Sequence, residues 1–219
     1  MSCPHAIATR TPAPLLRLRS HPLRIALVGN PNVGKSVIFG RLTGRYVTVS
    51  NYPGTTVAVT RGRATIGAEV CDVIDTPGVN ALDGPLSEDE KVTRDLLQGG
   101  GAELIVQVAD ARNLRRALML TSQIAEFRQP MILVLNMIDE ARARGVDIDI
   151  DGLAAQLGVP VIEAVATEGR GLAELREALA VPARARAAGD EGLAHTQWAD
   201  ETARRFRTIG PLSLGRAQE

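Results

Sequence analysis

Eight consecutive residues of the sequence have the types and spacing of a loop that binds phosphate groups. They match the pattern GxxxxGK[ST], in which two separated glycines are followed by a lysine and a hydroxyl residue. The glycines allow the backbone to curl until its N–H groups point at phosphate oxygens, next to the positive end of the following helix. We expect the lysine to neutralise the outer phosphates and the hydroxyl to bind Mg²⁺. The residues of this loop are Gly29, Asn30, Pro31, Asn32, Val33, Gly34, Lys35 and Ser36.

A second candidate group, Asp75, Thr76, Pro77 and Gly78, follows an apolar run about forty residues after the phosphate loop. The carboxylate of Asp75 can reach the hydration shell of a Mg²⁺ ion, and the amide of Gly78 can contact a γ-phosphate. Taken alone, these four residues also form a good turn. Their place after a phosphate loop favours a role in metal binding and in sensing the γ-phosphate.

A third group, Asn136, Met137 and Asp139, follows another apolar run and predicts recognition of a guanine base. The Asp139 carboxylate can accept hydrogen bonds from guanine N1–H and N2–H₂, a donor pair that adenine lacks. Losing a hydrogen bond to a charged group costs roughly 1.5–3 kcal/mol, so this contact alone separates GTP from ATP by about 10- to 100-fold. Asn136 would brace the site. A backbone N–H for guanine O6 is expected from the turn formed by Val165, Ala166 and Thr167.

Apolar strands alternate with amphipathic helices along the chain, and these elements must position the three groups. The pattern predicts an α/β fold in which helices cover both faces of a mostly parallel six-stranded sheet, with the second strand antiparallel. Ser87 and Glu90 have the spacing of a capping box at a helix start. We expect strands over 25–28, 57–66, 70–74, 104–109, 131–135 and 161–164, and helices over 35–42, 87–97, 114–127, a stretch ending at 157, and 172–179.

The stretch from Ile25 to about Leu179 resembles the cytosolic G domain of the FeoB family of bacterial ferrous iron transporters. The motifs GNPNVGKS, SNYPGTTV, DTPG, DARNLRRALMLTSQIAEFRQPMILVLNMIDEA and LGVPVIEAVATEGRGL follow that family's pattern in order and spacing. The resemblance implies a Ras-like P-loop NTPase fold that hydrolyses GTP to GDP and phosphate. Family members continue into a helical domain and a large membrane domain, whereas about forty residues follow the G domain here.

The resemblance also implies roles for particular residues. Thr56 resembles the switch threonine that closes on Mg²⁺ and the γ-phosphate, although Thr55 leaves a shift by one position open. Asn32 resembles the asparagine that helps to hold K⁺ in potassium-activated members. Val79 stands where Ras-type enzymes carry a water-positioning glutamine, so that role falls to backbone groups, another residue or K⁺, and turnover should be slow. The expected catalytic residues are Lys35, Thr56 and Gly78.

The resemblance and the composition together divide the chain into three predicted segments: a disordered tail over 1–22, a G domain over 23–182, and a short tail over 183–219. The last segment has room for one helix, Trp198 to Ile209, which faintly resembles the approach to a membrane segment. Cys3 and His5 provide two metal-ligating side chains, whereas structural sites use four, so their role stays open.

Charge and aromatic content exclude some classes of partner. The formal net charge is zero and aromatic residues make up 3% of the chain, which argues against a nucleic-acid surface. No apolar run approaches the roughly 18–20 residues that cross a bilayer.

We expect a cytoplasmic protein that binds GTP and GDP and acts at the inner face of the cell membrane through a membrane iron-transport domain or protein. The alternatives are a free-standing GTPase in ribosome or tRNA maturation and a nucleotide-binding remnant.

Overall fold

Seven strands form one sheet in the computed structural model, which describes residues 21–44 and 47–187. The strands are β1 (Leu23–Val28), β2 (Val47–Asn51), β3 (Ala58–Ile66), β4 (Glu69–Asp75), β5 (Leu104–Asp110), β6 (Met131–Asn136) and β7 (Val161–Ala164). The helices are α1 (Lys35–Thr43), α2 (Glu88–Gln98), α3 (Leu114–Ala125), α4 (Ile138–Ala143), α5 (Ile150–Leu157) and α6 (Leu172–Ala187), and a 3₁₀ turn (Ala111–Asn113) precedes α3.

The strand order is β2-β3-β4-β1-β5-β6-β7. Strands β4, β1, β5, β6 and β7 pair in parallel, whereas β3 runs antiparallel to both β2 and β4. The predicted α/β fold with a mostly parallel sheet is therefore confirmed, but the sheet has seven strands rather than six. The additional strand, β2, was missed because all five of its residues are exposed at the edge, which leaves no buried alternation in the sequence.

Helices cover both faces of the sheet and enclose two hydrophobic cores. One core contains side chains of α1 and α6, and the other contains side chains of α2, α3, α4 and α5. Every residue of β6 is buried, as expected for a central parallel strand covered on both faces. The sheet is packed between these two layers, so the loops that follow its central strands start from a packed framework.

Two helical predictions differ from the structure in extent. The helical stretch expected to end at Leu157 is two helices, because the chain turns at Gly145, whose φ of 78° favours glycine. The last helix continues past the expected end at Leu179 to Ala187 and includes Pro182. Its buried residues Leu175, Leu179 and Ala183 recur every four positions. Their packing against the core stabilises the helix on both sides of the proline.

Some sequence predictions lie outside the described residues. These are the tail up to residue 20, the helix from Trp198 to Ile209, and the roles of Cys3 and His5. Within 21–44 and 47–187, no helix combines the length and apolar character needed to cross a bilayer.

Glu90, in the first turn of α2, holds both ends of the loop before this helix. One carboxylate oxygen accepts hydrogen bonds from the N–H groups of Asn80 (3.0 Å) and Ala81 (3.2 Å). The other accepts from the N–H and the hydroxyl of Ser87, both at 2.9 Å, and the Glu90 N–H donates to the Ser87 oxygen. The predicted capping box is therefore confirmed, and its carboxylate also fixes the loop that follows Gly78.

We predict that Glu90→Gln lowers the free energy of unfolding by about 1 kcal/mol at neutral pH, because a carboxylate accepts these hydrogen bonds more strongly than an amide oxygen. The Ser87 N–H lowers the pKa of Glu90, burial partly opposes it, and the Asn80 amide lowers it further. The carboxylate's contribution is therefore present above the ordinary glutamate pKa and disappears as the pH falls through the lowered pKa of the folded state.

Urea denaturation across this pH range checks the prediction, with Glu88→Gln as the control for an exposed glutamate in the same helical turn. A difference between wild type and Glu90→Gln that is the same at neutral and acid pH would contradict it.

Candidate nucleotide-binding site

All the predicted site residues except Thr56 lie at the ends of four strands or in the segments that directly follow them, at one edge of the sheet. The phosphate loop follows β1, the segment beginning at Asp75 ends β4, the Asn136 group ends β6, and the turn from Val165 follows β7. These four strands are all parallel, so their carboxyl ends meet at the same edge. This edge is where ligands bind in open α/β sheets.

The two glycines of the phosphate loop are required by close contacts. A Cβ atom on Gly29 would collide with the backbone carbonyl of Val108 in β5. Gly34 has a φ of 87°, and a Cβ atom there would collide with the side-chain amide of Asn136. Asn32 also has a positive φ, 64°, a conformation that asparagine tolerates better than most residues. The loop therefore holds a backbone shape that few sequences can adopt.

Lys35 and Ser36 begin α1, and both contact Asp75 at the end of β4. The Lys35 Nζ atom lies 2.8 Å from Asp75 Oδ1 and also donates to the carbonyl of Thr76. The Ser36 hydroxyl donates to Asp75 Oδ2 at 2.7 Å. Because the Lys35 and Asp75 side chains are each only 10% exposed, their opposite charges compensate each other where little water reaches them.

Gly78 and Val79 lie directly against the phosphate loop. A Cβ atom on Gly78 would come within 2.9 Å of the Pro31 Cα atom, so glycine is needed for this approach. Val79 donates its N–H to the Gly29 carbonyl (3.0 Å) and accepts from the Asn30 side chain (2.9 Å). The Val79 side chain is fully buried in the core. These contacts join the segment after β4 to the phosphate loop through the backbone of Val79, while the valine side chain lies in the core.

The side chain of Asn136 connects three loops. Its Nδ2 atom donates to the carbonyl of Val33 in the phosphate loop at 2.9 Å, and its Oδ1 atom accepts from the N–H of Ala166 at 2.9 Å. The side chain is buried, so both bonds are protected from water. The phosphate loop, the end of β6 and the turn after β7 are therefore joined through one amide group.

Two further residues shape the part of the edge expected to hold a base. Met137 has a φ of 62° and turns the chain sharply from β6 into α4, whose first turn carries the partly exposed Asp139. Arg41, at the end of α1, donates to the carbonyl of Thr167 at 2.6 Å. Sequence reasoning missed Arg41, because a basic residue in the last turn of a helix commonly has only a local role there.

The two threonines after β2 differ in their contacts. The Thr55 hydroxyl donates to the carbonyl of Tyr52 at 3.0 Å and accepts from the N–H of Val57 at 3.2 Å. The Thr56 side chain is exposed. Thr55 is thus engaged in its own turn, and Thr56 is the threonine that faces solvent.

The fold and this arrangement of loops define a Ras-like P-loop nucleotide-binding domain. Residues 23–179 match the family model described as Ferrous iron transport protein B. The chain belongs to this family, and its matched part is the G domain.

Similar proteins carry the same family name. The chain is 40% identical over 160 residues to the Fe(2+) transporter FeoB of Escherichia coli strain K12, covering 72% of this chain and 21% of the transporter. The G domain of the T. maritima FeoB iron transporter has 40% identity and a TM-score of 0.69, with 75% of this chain and 99% of that chain covered. The cytosolic domain of the same transporter in its GMPPNP form has 40% identity and a TM-score of 0.70, with 74% and 64% covered. The chain therefore spans about a fifth of the length of the curated relatives it matches.

We predict opposite effects for two glycine-to-alanine substitutions, one at Gly34 in the phosphate loop and one at Gly40 in α1. Gly34→Ala should destabilise the fold by about 2 kcal/mol or more, because its φ is positive and its Cβ atom would displace the Asn136 amide. Gly40→Ala should stabilise it by about 0.5–1 kcal/mol, because Gly40 lies inside α1 with open space at its Cβ position. Chemical denaturation of both variants measures the difference, and equal effects would contradict this account of the loop.

Proposed function

We propose that this chain binds GTP and hydrolyses it to GDP and phosphate with Mg²⁺, as the nucleotide-dependent regulatory domain of a ferrous iron uptake system. The observation that carries the proposal is the buried Asn136 side chain, which joins the phosphate loop to the turn after β7 next to a helix whose first turn contains Asp139. The cytosolic domain of the T. maritima relative has a GMPPNP form, which supports nucleotide binding.

Lys35 is the residue that would stabilise negative charge on the transferring phosphoryl group. Its Nζ atom already lies at the mouth of the phosphate loop, between Asp75 and the Thr76 carbonyl. A phosphate oxygen entering the loop would compete with Asp75 for this ammonium group. In that exchange Lys35 would keep an anionic partner, and the Asp75 carboxylate would become free to bind other groups.

The side chains near Lys35 fit a Mg²⁺ ion. Mg²⁺ prefers oxygen ligands and is commonly held by one or two protein groups together with phosphate oxygens and water. The Ser36 hydroxyl and an Asp75 carboxylate oxygen lie 2.7 Å apart and supply such groups. When bound, the ion would neutralise charge on the β- and γ-phosphates. Thr56, exposed and close in sequence to the Thr55 turn, would add the third protein oxygen when the segment around it closes.

Attack by water must be organised without a glutamine side chain. Val79 is fully buried and both of its backbone groups are occupied by the phosphate loop. The Gly78 amide and Thr56 are then the protein groups that would contact the γ-phosphate, and slow intrinsic turnover follows.

Guanine selectivity would come from the Asp139 carboxylate and one backbone amide. In the turn after β7, the N–H of Val165 bonds to the Arg170 carbonyl and that of Ala166 bonds to Asn136. The amide of Thr167, whose carbonyl is fixed by Arg41, is therefore the best placed of the three to meet guanine O6.

Regulation of transport would act through the two segments that meet the γ-phosphate. One runs from Arg45 to Thr56 and contains β2, and the other runs from Gly78 to Glu90. The second segment contacts the phosphate loop through Gly78 and Val79. GTP and GDP would order the two segments differently. A membrane iron-transport domain or protein at the inner face of the cell membrane is the partner expected to sense this difference.

Asp139→Asn tests base recognition. We predict that it weakens GTP binding about 10- to 100-fold and improves binding of xanthosine triphosphate, whose 2-oxo group suits an amide donor. Isothermal titration with both nucleotides measures the exchange of preference. Unchanged affinity for GTP would overturn the assignment of Asp139.

Asn32 provides a test for potassium. If its side-chain oxygen helps to hold K⁺, GTP hydrolysis should be faster in KCl than in NaCl at equal ionic strength, by about 10-fold or more if the cation replaces an arginine finger in part. Asn32→Gly is the sharp variant, because glycine keeps the positive φ of this position while removing the amide. We expect Asn32→Gly to bind GDP normally and to lose the potassium effect. Equal wild-type rates in the two salts would rule out the K⁺ role.

A further inference from the structure

Arg112 forms a two-pronged contact with the end of β5. Its Nε atom lies 2.9 Å from Asp110 Oδ1, and its Nη2 atom lies 2.8 Å from Asp110 Oδ2. The Arg112 backbone N–H also donates to Asp110 Oδ1 at 2.9 Å. A planar guanidinium held at two nitrogen atoms by one carboxylate has a fixed direction, unlike a single ion pair at the surface. The side chains of Arg112 and Asp110 are only 24% and 23% exposed, which limits screening by solvent.

The remaining arm of Arg112 reaches α4. Its Nη1 atom lies 2.5 Å from Glu140 Oε2. Glu140 follows Asp139 directly and lies with it in the first turn of α4. Because Asp110 pairs with Asn136 across β5 and β6, the arginine bridges the sheet edge to the helix at the point where the chain leaves β6. The phosphate-binding contacts described above use none of these three side chains.

We propose that Arg112 is a positioning residue for nucleotide recognition: it fixes the first turn of α4 against the end of β5 and thereby sets the direction of the Asp139 carboxylate. This inference rests on the proposed function, since it assumes that Asp139 reads the base. It adds a determinant of specificity outside the phosphate and base motifs.

Local geometry explains why this turn needs a second attachment. The chain enters α4 through Met137 in a left-handed conformation, and α4 has only six residues with no side-chain cap at its first turn. Such a short helix has little stability of its own. The charges agree with a firm link: burial raises the pKa of Asp110, but the hydrogen bonds from Arg112 outweigh it and hold that pKa below its ordinary value.

The test compares the binding of GDP and inosine diphosphate, which lacks the 2-amino group. In the wild type, the hydrogen bond from this group to Asp139 should favour GDP by roughly 10- to 100-fold. Arg112→Leu should reduce this preference by about 3- to 10-fold. Without the arginine, the Asp139 carboxylate would shift and its hydrogen bond from the guanine 2-amino group would weaken. Arg112→Lys, which keeps the charge but not the two-pronged geometry, should restore only part of it. Calorimetric titration of each variant with both nucleotides gives the ratio.

Two further variants separate positioning from a general effect on folding. Arg115→Leu removes an exposed arginine three positions away and should leave the ratio unchanged. Glu140→Gln weakens the same link from the α4 side and, like Arg112→Leu, should lower the preference for GDP over inosine diphosphate. It keeps the test available if Arg112→Leu folds poorly.

The outcomes are distinct. A reduced GDP-to-inosine-diphosphate ratio in both Arg112→Leu and Glu140→Gln supports the positioning role. Equal loss of affinity for both nucleotides, with the ratio kept, overturns it and leaves Arg112 a purely structural residue. A wild type that binds GDP and inosine diphosphate equally would instead overturn the proposed role of Asp139 in base recognition.

Discussion

The buried side-chain amide of Asn136 is the interaction on which the rest of the site depends. Its nitrogen holds the carbonyl of Val33 and its oxygen holds the N–H of Ala166, so one planar group sets the distance between the phosphate loop and the turn after β7. Leaving either partner unsatisfied in a buried position would cost about 1–3 kcal/mol. The same amide explains Gly34, because any side chain there would occupy its place. The phosphate loop and the turn after β7 are therefore fitted to each other without a nucleotide.

Around this amide, the other contacts divide between the part of the edge proposed to bind phosphate, called the phosphate half, and the part proposed to bind the base, called the base half. In the phosphate half, Lys35 and Ser36 bond to Asp75, and Val79 bonds to the loop through its backbone. In the base half, Arg41 holds the Thr167 carbonyl from α1, and Arg112 holds the first turn of α4 from β5. The phosphate half is thus attached to the end of β4, and the first turn of α4 in the base half is attached to the end of β5. Of the two segments proposed to meet the γ-phosphate, the one that contains β2 lies outside these contacts, and Glu90 holds the loop before α2 from the helix side.

Local patterns in the sequence were enough to predict the fold class and to place the phosphate loop, Asp75 and Asp139 at one edge of the sheet. They succeed because glycine spacing, strand periodicity and helix caps depend on residues that are near each other in the chain. The edge strand β2 left no such signal, since all its side chains are exposed. The contacts of Arg41 and Arg112 were also beyond sequence reasoning, because each joins side chains or carbonyls from elements that only the folded sheet brings together.

The most direct measurement of this account is amide hydrogen exchange of wild type and Asn136→Ala without nucleotide. If one amide joins the two halves, exchange should increase in residues 29–36 and in residues 164–169 together, while the β3–β4 pairing, which lies away from Asn136, keeps its protection. An increase in only one of the two loops, or in neither, would show that they are positioned independently and would contradict the central role of Asn136.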